Sequence, residues 1–138
     1  MEPTVIITVT IIALIAVLFV VVSFSSKKID KSKKESIYKR LKELELGMNS
    51  LDSSVRRDTV VKLDNLLSKS LQIYFGNKGL CGDNLKKANF LFKKKEYNDI
   101  WEAHKIRNKV VHDDYEVDAS EGIELYNTYK LSIERILK

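Results

Sequence analysis

The chain has 138 residues, 24 Lys and Arg against 19 Asp and Glu, and a single cysteine. That length allows one small domain, and one cysteine excludes any intrachain disulfide. The net charge of +5 is concentrated: residues 27–40 hold seven basic groups against Asp30 and Glu35, while residues 41–138 hold 17 basic and 16 acidic groups. The basic pI therefore describes a connector and does not make the whole domain a polyanion binder.

Val5 to Phe24 is a run of twenty residues in which Thr8, Thr10 and Ser23 are the only polar ones. As a helix it spans about 30 Å, the thickness of a bilayer's hydrocarbon core. A cleaved signal peptide fits less well, because no basic segment precedes the run and no A-x-A-like site follows it. Lys27, Lys28, Lys31, Lys33 and Lys34 all follow the span and none precedes it. The positive-inside rule then places the N-terminus outside and the rest of the chain in the cytoplasm, single-pass in the cell membrane. The same five lysines lie close enough to the bilayer to meet anionic headgroups, although a pure topology signal needs nothing more of them.

Beyond the span every segment reads as helix. Ile37, Leu41, Leu44 and Met48 recur at helical spacing and form one apolar stripe, with Gly47 as a stop. A helix starts near Ser53 or Ser54 and runs to Phe75, facing Val60, Leu63, Leu67, Leu71 and Tyr74 inward. Gly76, Gly79 and Gly82 predict an eight-residue loop. Asp83 is placed to cap a short helix carrying Leu85, Ala88 and Phe92. The next helix begins between Glu96 and Asp99, where Asp99 and Glu102 have capping-box spacing, and ends near His112. Asp118 and Glu121 open the last helix, which turns Tyr126, Tyr129, Ile133 and Ile136 inward. The predicted architecture is all-α: an N-terminal transmembrane helix followed by a four- to five-helix up-and-down bundle. Residues 1–26 form the anchor, 27–52 a basic juxtamembrane connector and amphipathic helix, and 53–138 the helical domain.

Little enzymatic machinery is visible. There is no glycine-rich phosphate loop, no zinc-spaced Cys or His cluster and no nucleophile elbow. His104 and His112 are eight residues apart, about 12 Å along a helix, too far to share one metal. Neither a metal nor a cofactor is expected, and Cys81, between glycines, reads as inert. What remains is the stretch from Trp101 to His112. Tyr97, Trp101, His104, Asn108 and Val111 fall within about 80° of one another around this helix, a face on which His104 and Asn108 read as buried, hydrogen-bonded polar groups. Arg107 and His112 point about 140° apart, so one straight helix does not bring them together. A second copy across a two-fold axis would.

Arg107-Asn108, three residues, then His112 resembles the Arg-polar-x-x-x-His signature of the HEPN superfamily of small helical bundles, many of them nucleases. The string from Trp101 to His112, preceded by Leu63-Asp64-Asn65-Leu66-Leu67 and a glycine-containing loop, is closer still to bacterial membrane-anchored HEPN-like proteins without assigned function. The resemblance covers roughly residues 55–137. It implies a homodimer that cuts RNA without a metal, the 2′-hydroxyl attacking the adjacent phosphate to leave a 2′,3′-cyclic phosphate and a 5′-hydroxyl. By that carry-over His112 is the acid/base, Arg107 stabilises the phosphorane oxygens and Asn108 positions. Residues 86–109 hold eight basic groups against three acids, and Lys93, Lys94, Lys95, Lys105 and Lys109 are the expected RNA contacts. The alternative is a non-catalytic scaffold that uses the bundle face or the Ile37–Met48 stripe to bind an unidentified protein partner in a membrane complex.

Overall fold

A computed structural model describes residues 1–24 and 28–138 of the chain. Lys27 and the predicted 26/27 boundary lie outside the described residues. The chain is all-helical: α1 (Pro3–Phe24), α2 (Lys31–Met48), α3 (Ser53–Phe75), α4 (Cys81–Lys87), a 3-10 turn (Ala88–Leu91), α5 (Lys94–His112) and α6 (Ala119–Leu137). No strand occurs among the described residues.

α1 starts on the chain's only proline, whose missing N–H costs nothing in a first helical turn. No residue from Met1 to Val22 is buried in the protein, and the helix is long and apolar enough to cross a membrane. Thr8 and Thr10 donate their hydroxyls back to Thr4 O and Ile6 O at 2.8 Å, so neither is left unpaired on an apolar helix.

α3 is the centre of the rest and packs on α2, α4, α5 and α6. Asp52 caps it by accepting from Ser54 N at 2.8 Å, and Gly76 ends it at φ 63°, a left-handed position that suits glycine. Val60, Leu63, Leu67 and Leu71 are buried along it, and Tyr74 is half-buried. α6 begins as the sequence indicates, with Asp118 Oδ1 accepting from Glu121 N at 2.8 Å, and it buries Tyr126, Tyr129, Ile133 and Ile136. Arg56 is 7% exposed on α3, yet its guanidinium is satisfied by Val117 O and Ser50 O, both at 2.7 Å. It thereby ties the α2–α3 and α5–α6 loops to α3.

Four details differ from the sequence reading. The stripe Ile37, Leu41, Leu44 and Met48 is buried against α3 and α6, so α2 contributes to the same core and offers no free apolar face. Gly47 lies inside α2, which ends at Met48; a Cβ there would run into Thr59 Oγ1, so the glycine permits close approach of α2 to α3. The predicted loop is shorter, because α4 begins at Cys81 and includes Gly82, with Leu80 at the cap and Asp83 inside the first turn. α5 begins at Lys94, with Glu96 as the acid that reaches back to the Lys93 N–H at 3.1 Å. Glu96 also accepts from Arg135 of α6 at 2.8 Å, a tertiary tie that holds its carboxyl below the usual range.

Candidate functional site

Asp64 sits on the inward face of α3, four residues after Val60 and three before Leu67, and is 2% exposed. A carboxylate buried among apolar side chains needs donors around it, and α5 and α6 supply them. His104 Nδ1 of α5 lies 2.9 Å from Oδ1 and 3.1 Å from Oδ2, and Tyr129 of α6 donates its hydroxyl to Oδ1 at 2.9 Å. Arg107 Nε lies 3.7 Å from Oδ2. Because a carboxylate only accepts, Nδ1 carries the proton in the His104 bond, and Nε2 is left facing the Gly82 side. Trp101 packs against the imidazole edge to face, with 5.8 Å between ring centroids.

Above this network opens a polar cleft of about 430 Å³ between α3, α5 and the start of α4, lined by Asp64, Ser68, Cys81, His104, Arg107 and Asn108 among others. Arg107 is half-buried on its wall. Its Nη1 donates to Asn108 Oδ1 at 3.0 Å, while its buried Nε–H has no hydrogen-bond acceptor among the described residues. Asn108 therefore fixes the guanidinium plane. The α5 face is centred a little away from the predicted one: Ile100, Ala103 and Val110 are buried, His104 and Asn108 line the cleft at its edge, and Val111 is 48% exposed.

Asp64, Cys81 and His104 place one ligand atom each within 4.8 Å of the others, a donor set that zinc can use. The chemistry of the site argues against a cation. Asp64 already accepts from His104 and Tyr129, and the Arg107 guanidinium stands beside it. Burial pushes the Cys81 thiol up to about 12, with Asp64 adding to the effect and Arg107 and a Ser68 hydrogen bond opposing it. The same burial, reinforced by Asp64, raises the Tyr129 hydroxyl well above its ordinary range. With no ion bound both groups stay protonated at neutral pH, and a protonated thiol is a poor nucleophile.

Of the three residues carried over as catalytic, Arg107 and Asn108 share the cleft. His112 is the last residue of α5, exposed and absent from the cleft lining. All five lysines expected to meet RNA are exposed. Lys95 pairs with Asp99 at 2.6 Å and Lys105 with Glu102 at 2.7 Å, while Lys109 lies 5.7 Å from the centre of the Tyr115 ring. Such exposed pairs are weak and exchange readily for a phosphate. Lys28 precedes α2 and Lys31, Lys33 and Lys34 occupy its first turn. Sequence reasoning singled out neither Asp64 as the hub nor Cys81 and Tyr129 as its neighbours. An acid on the stripe Val60-Leu63-Leu67 was the available signal for Asp64. Set against protein-family models, curated proteins and solved structures, the chain finds no match.

Proposed function

We propose that this chain is a membrane-anchored, HEPN-like module that grips the sugar–phosphate backbone of RNA at the Arg107–Asn108 wall of the cleft. One observation carries the reading: a half-buried guanidinium, oriented by Asn108, on the wall of an open polar cleft. A phosphate oxygen is the acceptor that such a planar fork suits best. Lys105 and Lys109 flank Arg107 on α5 and supply the diffuse attraction that RNA backbones require. The lysines after α1 favour a cytoplasmic placement of the domain at the cell membrane.

Cutting the bound strand needs an acid/base at the phosphate. His112 stands outside the cleft of its own chain, so cleavage rests on a second copy delivering it, as in the homodimer that the resemblance implies. The 2′-oxygen then bonds to phosphorus as its proton passes to a base, and the P–O5′ bond breaks with a proton returned to the 5′-oxygen. Single-stranded RNA incubated with the full chain in EDTA should yield cyclic phosphate ends. His112→Ala and Arg107→Ala should each slow the reaction by about a hundredfold or more. A parent protein that leaves the RNA intact would remove the nuclease from the proposal and keep only binding.

The scaffold alternative is supported by a different observation: Asp64 engages Arg107 and His104 together, which gives the motif arginine a structural role. Under that reading Arg107→Ala lowers stability and changes no RNA interaction.

A further inference from the structure

A second cleft, about 620 Å³, opens between the first turns of α2 and the last turn of α3. Ser32, Lys33 and Ser36 line it from α2, Lys69 and Ile73 from α3, and Lys78 from the loop that follows. Its lining holds three lysines and no carboxylate, whereas Asp64 and Asp83 line the Arg107 cleft. Four lysines elsewhere on the surface stand beside acids: Lys31 with Glu35, Lys62 with Asp58, Lys95 with Asp99 and Lys105 with Glu102. Among the described residues Lys33, Lys69 and Lys78 are in no ion pair. Three like charges around one concave space repel one another and favour an anion that neutralises them. Ser32 and Ser36, one turn apart, add hydroxyl donors.

The position of the cleft narrows the choice of anion. α1 ends at Phe24 and α2 begins at Lys31, and a fully extended chain covers that interval in at most about 25 Å. If α1 crosses a membrane, the α2 side of the cleft is tethered beside the headgroup layer. Exposed aromatic surface lies at the same end of α3. Tyr74 and Phe75 stack edge to face at 5.0 Å, and Phe90, 70% exposed, lies 6.3 Å from Tyr74. Aromatic rings beside lysines are the residues that settle at a membrane–water boundary. We propose that this cleft binds the phosphate headgroup of an anionic phospholipid in the leaflet from which α1 emerges, docking the α2–α3 end of the bundle on the membrane.

The test is hydrogen exchange on the full chain in nanodiscs, read at residues 31–36 and 69–78. Discs containing phosphatidylglycerol should slow exchange in both segments relative to pure phosphatidylcholine. Lys33→Gln/Lys69→Gln should remove the difference, because each lysine near an anionic surface contributes about fivefold to partitioning. Lys86→Gln/Lys87→Gln, the same charge change on α4, should leave it intact. Equal exchange in both lipids, or protection that survives Lys33→Gln/Lys69→Gln, overturns the proposal. So does equal protection in phosphatidylcholine discs supplied with glycerol phosphate, which would make the cleft a site for soluble phosphates. No RNA is present, so the outcome is independent of the Arg107 cleft.

Discussion

Tyr129 on α6 donates its hydroxyl to Asp64 Oδ1 on α3 at 2.9 Å, with the ring fully buried and the carboxylate 2% exposed. This bond joins the two most extensively packed helices at the floor of the cleft that holds Arg107. Tyr129→Phe is expected to cost about 1.5–3 kcal/mol, the range for a hydrogen bond to a charged group. Asp64→Ala should cost about 3–5 kcal/mol, because Arg107 and His104 lose their shared partner. Denaturant melts of both single variants and the double variant measure this, and the double should fall short of the sum.

His104→Ala removes a second donor to the same carboxylate and the ring against Trp101. A loss of roughly 1–3 kcal/mol is expected, which lowers the thermal midpoint of a domain this size by several degrees. His112→Ala should change the midpoint by less than a degree or two, since that side chain is exposed at a helix end.

Gly47→Ala tests the crossing of α2 and α3. On an isolated helix the change would stabilise by about 1 kcal/mol. Here the new methyl meets Thr59, and a net loss of about 1–3 kcal/mol is expected from overpacking. Thr59→Ala in the same chain should recover part of that loss, because the hydroxyl is the nearest clashing atom.

These contacts mark where sequence reasoning reached and where it stopped. Gly76 and Asp118 gave away the end of α3 and the start of α6 because caps are local chemistry. The Ile37–Met48 stripe was equally legible, but its partners were not, and its burial within the chain withdraws it as an assembly face. Gly47 read as a stop since nothing local reveals Thr59 across the interface. Asp99 with Glu102 had the capping-box spacing, yet Glu96 caps α5 and bonds Arg135, a partner 39 residues away that local sequence does not reveal. The cleft follows the same pattern: Arg107 and Asn108 were visible as a motif, while Asp64, Cys81 and Tyr129 join them only through folding.

Alkaline pH should expose the buried thiol. The folded Cys81 pKa of about 12 lies above its ordinary 9.0, so between those values the unfolded state has released a proton that the native state retains. Native binding of more protons than the unfolded state means stability falls as pH rises. The thermal midpoint of the parent should therefore decline from about pH 9 upward, and Cys81→Ala should decline less. Tyr129, also raised, leaves a residual loss in that variant at higher pH. Iodoacetamide at neutral pH should label the native thiol far more slowly than the denatured one.

If Arg107 meets phosphate, RNA binding depends on its guanidinium. The direct measurement is anisotropy of a labelled single-stranded RNA titrated with the full chain in phosphatidylcholine nanodiscs at fixed salt. Arg107→Ala should weaken binding by about 10–100-fold, the scale of charge-assisted hydrogen bonds, with helix content unchanged. Arg107→Lys, which keeps the charge and loses the fork, should fall between them. Lys33→Gln/Lys69→Gln should bind like the parent. Parent binding no stronger than that of empty discs, or Arg107→Ala binding RNA as tightly as the parent, would contradict the account.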